Sequence, residues 1–438
     1  LRLKRMRAAE TSDLNKEGLT MSYTEKLIDF IGKSTDCYHA VKTAKDRLDE
    51  NGFKELCEGD KWDVQSGGKY YVIRNSSSII AFEMPKKDFG AFMICASHTD
   101  SPSFKLKPDF EINADGCIKL SVEGYGGMIM SSWLDRPLSI SGRIVTAKNG
   151  KIETKLVNID RDLLVIPSLA IHMSRDINKG YEFNIRRDMC PIASEKNGRI
   201  EDIIAENVGV DKEEILGFDL SLYNRMRGTV LGADGEYFSA PRIDDLQCMY
   251  STLEGFLNSE SDDNVNVFAA FDNEEVGSGT KQGAKSSFLR DVLERICNNS
   301  ETYKRAVAKS FMLSCDNAHA VHPNFADKSD STNRVYMNGG IVIKYNANQR
   351  YTTDAVSEAV VKYVCKNAGV PYQMYANRSD IPGGSTLGNL SNEKVSLNTA
   401  DIGLAQLAMH SSYETAGSRD TEYMVKMIKE FYKTEIVL

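Results

Sequence analysis

Two kinds of hydrophobic pattern alternate along this chain. Apolar residues at helical spacing predict helices over Tyr23–Gly32, Ala40–Asn51, Asp244–Leu257, Ser286–Cys297, Asp354–Ala368 and Thr421–Lys433. Short, mostly apolar runs predict strands over Tyr70–Arg74, Ser78–Met84, Ala91–Ala96, Val265–Phe271, Phe311–Cys315 and Ile341–Lys344. A strand that is apolar throughout is buried on both faces. The pattern therefore predicts a sheet that helices cover on both sides.

The stretch from 103 to 238 has a different pattern. It holds short alternating runs, such as Ile118–Val122, Leu138–Val145 and Ile152–Leu156, separated by Gly, Asn and Asp. Such runs are typical of antiparallel strands. We therefore predict an α/β fold with a doubly wound mixed sheet over 21–102 and 239–438, interrupted by an inserted β-rich domain over 103–238.

Residues 1–20 are polar and show no apolar period. We interpret them as a terminal extension, either part of the natural chain or a remnant of cloning. Met21 is a plausible native initiator. No role is predicted for this segment.

Composition excludes several classes of function. The chain has 438 residues and a formal net charge of −8, which argues against sequence-independent nucleic-acid binding. Its longest apolar runs are far shorter than the roughly 20 residues of a membrane helix. The nine cysteines are scattered, without a Cys-x-x-Cys pair, which is typical of reduced thiols in a cytoplasmic protein.

Metal-ligand residue types follow four apolar stretches directly. They are His98, the group Asp272–Glu275, Asp316 and His410. In open α/β sheets, ligands bind outside the carboxyl ends of the strands. We therefore expect these four strand ends to converge on one crevice, although they lie far apart in sequence.

Two histidines with several carboxylates suit zinc, manganese or cobalt. The set exceeds the needs of one tetrahedral zinc, and two metals that share a bridging carboxylate would use it fully. Asp244 or Asp245, at the start of a predicted helix, could supply that bridge. Taken singly, an Asp at a strand end is more often a turn former, and a lone His is more often structural. Spacing alone leaves both interpretations open.

Four motifs make the chemistry more specific, because in this order they resemble those of the aspartyl aminopeptidase family. The motifs are Ser97-His98-Thr99-Asp100-Ser101-Pro102, Asp272-Asn273-Glu274-Glu275-Val276-Gly277-Ser278, Ser314-Cys315-Asp316-Asn317-Ala318-His319 and Gln406-Leu407-Ala408-Met409-His410-Ser411. The resemblance extends from about residue 22 to the end of the chain and includes Leu134-Asp135-Arg136-Pro137 and Arg378-Ser379-Asp380-Ile381-Pro382.

The resemblance implies a metallo-aminopeptidase with two divalent ions per subunit, zinc first and manganese or cobalt as alternatives. His98 and Asp316 would bind one ion. Glu275 and His410 would bind the other, and Asp244 would bridge the two. Asp100, two positions along a strand from His98, would hold that imidazole in one tautomer.

The resemblance also assigns the catalytic base and the substrate contacts. Glu274 would be the general base, pointing away from Glu275 because neighbours on an extended segment point in opposite directions. Lys344 and Tyr351 match positions around the substrate, and Lys344 could pair with an acidic N-terminal side chain. His172 resembles a histidine that reaches the active site of a neighbouring subunit.

The resemblance implies that the enzyme releases Asp or Glu from peptides. It also implies a homo-oligomer, with 103–238 as a dimerisation domain of a twelve-subunit particle. The chain departs from the family at Pro382-Gly383-Gly384-Ser385-Thr386 and at Ser411-Ser412-Tyr413-Glu414, and although neither departure touches a proposed ligand, both could change the specificity pocket. Two alternatives therefore stay open, an aminopeptidase for neutral or apolar N-termini and a non-catalytic assembly protein on the same fold.

Overall fold

The structure is a computed structural model that describes residues 21–195, 199–260, 263–297, 299–381 and 383–436. The extension expected over 1–20 lies outside these residues, and so does Pro382 of the predicted pocket segment. The described strands form three sheets of nine, six and five strands.

The strands are β1 (Lys54–Glu55), β2 (Lys69–Arg74), β3 (Ser78–Glu83), β4 (Phe92–His98), β5 (Ser103–Ala114), β6 (Cys117–Tyr125), β7 (Leu138–Lys148), β8 (Lys151–Asn158), β9 (Ile192–Glu195), β10 (Ile215–Asn224), β11 (Thr229–Leu231), β12 (Tyr237–Ala240), β13 (Val265–Phe271), β14 (Phe311–Cys315), β15 (Ala318–His319), β16 (Ile341–Tyr345), β17 (Tyr372–Ala376), β18 (Asn398–Gly403), β19 (Ala405–Leu407) and β20 (Glu414–Gly417). The α-helices are α1 (Tyr23–Lys33), α2 (Cys37–Glu50), α3 (Ile185–Asp188), α4 (Ile200–Val208), α5 (Ile243–Leu257), α6 (Phe288–Ile296), α7 (Ser300–Ala308), α8 (Ala355–Ala368), α9 (Leu387–Ser391) and α10 (Asp420–Lys433). Among these described helices, none is both long and apolar enough to cross a membrane.

The nine-stranded sheet is mixed and has the order β1-β2-β3-β13-β4-β14-β18-β16-β17. Its four central strands, β13, β4, β14 and β18, are parallel. Their carboxyl ends therefore lie along the same edge of the sheet, which is where an open α/β fold binds its ligands. The flanking strands β3 and β16 run antiparallel to this central set.

Helices cover both faces of this sheet, as the apolar strands predict. On one face, α5 contributes Met249 and Leu253 to a core shared with Ile428 of α10. On the other face, α6 contributes Phe288 and Leu293 to a second core. Each fully buried side chain of this size contributes about 1.5–3 kcal/mol through removal from water.

The other two sheets lie to the side of this architecture. The six-stranded sheet, β8-β7-β10-β5-β6-β9, is antiparallel and built from residues between 103 and 224. The five-stranded sheet, β11-β12-β20-β19-β15, joins strands from distant parts of the chain. Its strand β12 spans the boundary predicted at 238/239 and pairs with β20, so the domain limits stay a prediction.

Most elements begin or end within three residues of the pattern-based prediction. Helix α2 begins at Cys37 rather than at Ala40, because the Asp36 carboxylate accepts hydrogen bonds from the backbone N–H groups of Tyr38 and His39. Strands β17 and β18 and helix α7 are among the elements that the pattern does not predict, since they are short and show no clear apolar period.

Candidate metal centre

Three of the predicted site segments lie at neighbouring strand ends. His98 is the last residue of β4, Glu274 and Glu275 follow β13, and Asp316 follows β14. Because β13, β4 and β14 are adjacent and parallel, their carboxyl ends bring these side chains to one edge of the sheet.

Asp244 lies between the two predicted histidines. Its Oδ1 is 3.3 Å from Nε2 of His98, and its Oδ2 is 3.5 Å from Nε2 of His410. The backbone around Asp244 is non-helical (φ −79°, ψ 110°), although α5 begins at Ile243. This kink presents the two carboxylate oxygens to two different imidazoles.

Two clusters of candidate ligands share Asp244. One comprises His98, Asp244, Asp245 and Asp316, and the other comprises Asp244, Glu275 and His410. In the second cluster, Glu275 Oε2 lies 3.3 Å from Nε2 of His410. A third group joins His98 to Glu274 and Glu275. The structure therefore brings together every residue that the sequence proposed as a metal ligand.

Asp245, the other candidate bridge, has different surroundings. Its Oδ2 accepts a hydrogen bond from the backbone N–H of His98 at 3.1 Å. It is fully buried and belongs to the first cluster alone. Asp244 is therefore the carboxylate whose position suits a shared ligand.

Both imidazoles are oriented by main-chain carbonyls. Nδ1 of His98 donates to the carbonyl oxygen of Asp100 at 3.0 Å, and Nδ1 of His410 donates to that of Gly127 at 2.7 Å. A carbonyl oxygen only accepts, so each Nδ1 carries a proton, and Nε2 is the nitrogen that would bind a metal after losing its own proton. Both Nε2 atoms face the carboxylates, as metal ligation requires.

The prediction is that Asp100 holds the His98 imidazole, but its carboxylate has other hydrogen-bond partners. Its Oδ1 is 3.4 Å from Nδ1 of His98, farther than the carbonyl oxygen of the same residue. The carboxylate instead accepts the Tyr125 hydroxyl at 2.6 Å and the backbone N–H groups of Glu274 and Glu275 at 3.1 and 3.2 Å. Asp100 therefore connects β4 with the turn after β13.

Two expectations about the local backbone are wrong, one for the Glu274–Glu275 segment and one for His410. Glu274 and Glu275 lie in a 3₁₀ turn, Glu274–Val276, rather than on an extended segment, and both carboxylates reach the same group around His98. His410 does not follow a strand of the main sheet. It follows β19 of the five-stranded sheet, after a tight turn with positive φ at Ala408 and at His410 itself.

The His410 loop is held by the segment that follows β6. The backbone N–H of Ile129 donates to the carbonyl oxygen of His410 at 2.9 Å. Ser412 contacts Ser132 twice, through its N–H at 2.8 Å and its hydroxyl at 2.5 Å. Together with the Gly127 carbonyl, these contacts fix where the imidazole points.

The cluster holds more carboxylate than its imidazoles neutralise. Burial raises the pKa of Glu275 well above its usual range, and the nearby Asp244 carboxylate adds to the effect. Burial also raises the pKa of Glu274 to about 8. Burial opposes the charged form of His410, yet Asp244 and Glu275 raise its pKa to about 10. This excess of carboxylates therefore makes the site favourable for bound cations.

The residues present fit divalent cations. Three buried carboxylate oxygens make no hydrogen bond, namely Asp244 Oδ1, Asp245 Oδ1 and Glu275 Oε1. Buried carboxylate oxygens without a hydrogen bond are costly, and a cation would satisfy them. Imidazole nitrogens with carboxylate oxygens are a ligand set for zinc, manganese and cobalt.

The predicted substrate residues divide into two groups. Lys344 is buried, with Nζ 3.5 Å from Asp316 Oδ2 and donating to the carbonyl oxygen of Asn317 at 2.7 Å. The Tyr351 ring centroid lies 5.5 Å from the same Nζ. His172 is exposed, and no contact among the described residues joins it to the cluster. Its predicted role concerns a second subunit and stays a prediction.

Sequence reasoning missed two residues that hold the site in place. Tyr125 ends β6 of the six-stranded sheet and donates to Asp100. Glu414 begins β20 and accepts the backbone N–H of Asp244 at 3.0 Å. Tyr125 and Glu414 act through contacts with segments distant in sequence, which no motif shows, although Glu414 lies in a segment that departs from the family.

The Tyr125 hydroxyl offers a direct test of how the site is positioned. We expect Tyr125→Phe to lower zinc affinity by up to about 10-fold, the lower end of the range for outer partners of metal ligands, because Tyr125 holds Asp100, which in turn holds the backbone of the candidate ligand Glu275. The control is Tyr223→Phe, whose hydroxyl contacts Asn158 and Ile159 instead. Metal titration and steady-state kinetics would check both variants, and equal behaviour of the two would contradict the expectation.

Comparisons with known proteins agree with this geometry. The sequence matches the family described as aminopeptidase I zinc metalloprotease (M18) over residues 30–432. It is 45% identical over 430 residues to the probable M18 family aminopeptidase 2 of Clostridium acetobutylicum, covering 94% of this chain and 99% of that protein. The fold resembles a chain in the cryo-EM structure of the Ape4 and Nbr1 complex, with a TM-score of 0.91, 35% identity and coverage of 94% and 85%. It also resembles the S. cerevisiae mApe1 dodecamer, with a TM-score of 0.82, 30% identity and coverage of 94% and 96%.

Proposed function

This chain belongs to the M18 family of zinc metallo-aminopeptidases, and from that premise we propose that it releases N-terminal Asp or Glu from peptides. The observation that carries the proposal is the position of Asp244, whose two oxygens face the Nε2 atoms of His98 and His410. A carboxylate with this placement suits two cations, and a lysine lies directly beside the cluster.

We assign the ligands as follows. His98 and Asp316 hold one divalent cation, and Glu275 and His410 hold the other. Asp244 is shared between the two. Zinc is the first candidate for both positions, with manganese and cobalt as alternatives. Cations bound there would lower the pKa of a water and polarise the scissile carbonyl.

Glu274 is the proposed general base. Its backbone N–H is held by Asp100 at 3.1 Å, while its carboxylate has no hydrogen bond or ion pair among the described residues. Cations at the site would favour the ionised form of this carboxylate, and both of its oxygens would then be available to take a proton from the attacking water and to return it to the departing amine. Asp100 therefore positions this turn through its carboxylate and the His98 imidazole through its main-chain carbonyl oxygen.

Lys344 and Tyr351 are the proposed specificity residues. The ammonium group would pair with a carboxylate on the first side chain of the substrate, next to the scissile bond. One observation favours a second candidate, an aminopeptidase for neutral N-termini. Nζ of Lys344 already contacts the carbonyl oxygen of Asn317 and the carboxylate of Asp316, so part of its bonding capacity is occupied.

We further propose that the chain works as a homo-oligomer in the cytoplasm, with 103–238 as its dimerisation domain. The related mApe1 structure is a dodecamer. Around His172, the side chains of Leu169, Ile171 and Met173 are exposed. Apolar exposure of this kind suits a subunit interface and a role for His172 in a neighbouring active site.

The experiment is hydrolysis of peptides that differ in the N-terminal residue alone, with and without a chelator. We expect chelator-sensitive release of Asp and Glu, and slower release of Ala and Leu. In Lys344→Met, kcat/KM for the Asp peptide should fall more than for the Ala peptide. The Ala peptide is the internal control, because a loss shared by both reports on Asp316.

Faster release of Ala or Leu would support the neutral-substrate alternative and remove Lys344 from the specificity pocket. An absence of release from metal-loaded protein would contradict the proposed function as a whole.

A further inference from the structure

Glu414 is a buried carboxylate that the proposed mechanism does not use. It begins β20 four positions after His410, and its exposed fraction is 2%. The described residues provide no ion pair with Lys, Arg or His for it. A carboxylate buried in this way needs hydrogen bonds to offset the loss of water.

Its hydrogen bonds go to the backbone of two candidate metal ligands. Oε2 accepts the N–H of Asp244 at 3.0 Å, and Oε1 accepts the N–H of His410 at 2.8 Å. Asp244 is 170 positions away in sequence, so one side chain joins two segments that nothing in the local chain connects.

A third contact extends the connection to Asp316. The side chain of Gln406 donates to Oε1 of Glu414 at 3.2 Å. Its own carbonyl oxygen accepts Nδ2 of Asn317 at 2.6 Å, and Asn317 directly follows Asp316. Buried amides and a carboxylate therefore form a continuous network beneath three of the assigned ligands.

We propose that Glu414 is a positioning residue that sets the relative placement of Asp244 and His410 and thereby the affinity for zinc. The inference rests on the proposed assignment of these two residues as ligands. Replacement by glutamine turns one acceptor oxygen into an amide donor, so at least one of the two N–H groups loses its partner. The metal site would then lose its fixed spacing while the ligands stay in place.

Asp420 provides a matched control. It is also fully buried, and its carboxylate also accepts two backbone N–H groups, from Asn338 at 2.5 Å and Gly340 at 2.9 Å. Neither of these residues is a candidate ligand. Glu414→Gln and Asp420→Asn therefore make the same chemical change in the same domain, and only the first touches the metal centre.

The experiment compares zinc dissociation constants of the full chain, measured by titration against a competing chelator. We expect Glu414→Gln to bind zinc about 10- to 100-fold more weakly than the wild type, since partners of metal ligands have effects of that size. Asp420→Asn should bind zinc like the wild type, even if its thermal unfolding temperature falls as much as that of Glu414→Gln. Unchanged affinity in Glu414→Gln, or an equal loss in both variants, would overturn the proposal.

Two further measurements keep the test decisive. If Glu414→Gln does not fold, Glu414→Asp is the substitute, because it keeps the carboxylate but moves its oxygens away from the N–H groups of Asp244 and His410. Zinc affinity equal to the wild type in Glu414→Asp would then overturn the proposal. Wild-type zinc content separates this inference from its premise. If the wild type binds no zinc, the ligand assignment is wrong. If the wild type and Glu414→Gln bind zinc equally tightly, only the role of Glu414 is wrong.

Discussion

Replacing Glu274 with glutamine is expected to lower kcat by about 10²- to 10⁴-fold, which is the usual contribution of a general acid or base. Glutamine has nearly the same shape but cannot take a proton from water. The backbone N–H at this position would keep its bond to Asp100. Zinc content should therefore stay at the wild-type level, and elemental analysis with steady-state kinetics checks both parts.

The adjacent Glu275 gives the matched control for this substitution. Its Oε2 lies 3.3 Å from Nε2 of His410, in the cluster that also contains Asp244. Glu275→Gln should therefore lose metal together with activity. If Glu274→Gln loses zinc as well, or keeps full activity, the division of roles between the two neighbours is wrong.

Replacing Asp244 with asparagine should have the largest effect on metal binding. Its two oxygens face the Nε2 atoms of both imidazoles, so its loss weakens both proposed positions at once. We expect zinc affinity to fall by more than the roughly 10- to 100-fold that removal of an outer partner costs. Activity should fall with it and return only in part at high zinc concentration.

Asp245→Asn is the comparison that separates the two candidate bridges. Asp245 belongs to the cluster with His98 and Asp316, and not to the cluster with Glu275 and His410. This variant should keep the metal at Glu275 and His410. Two metals retained in Asp244→Asn, with two lost in Asp245→Asn, would reverse the assignment.

The sequence predicted the parts of the site that follow from strand ends. His98 and Asp316 end apolar strands, and parallel strands of one sheet bring such residues together without further information. The choice of Asp244 over Asp245 was less accessible, because it depends on a backbone kink within the first turn of α5. Spacing left both aspartates open, and only the resemblance to the aspartyl aminopeptidase family singled out Asp244.

Other features depend on contacts between distant segments. The turn that carries Glu274 and Glu275 is shaped by its bonds to Asp100, so an extended segment was the wrong expectation. Strand β18 and the Glu414 network gave no periodic signal, since their polar residues are buried by partners far away in sequence. Hydrophobic periodicity identifies surfaces that meet, but it does not identify which buried polar groups pair.

The contacts between the His410 loop and the segment after β6 have a consequence for protein engineering. Gly127 and Ile129 hold the loop, and Tyr125 reaches Asp100 from the same side. A minimal enzyme made by excising the six-stranded sheet and this segment would therefore lose the Gly127 carbonyl that orients His410 and the Tyr125 hydroxyl that holds the Asp100 carboxylate. Chimeras between relatives should exchange this segment together with the loop from Ala408 to Ser412, because the two surfaces fit as a pair.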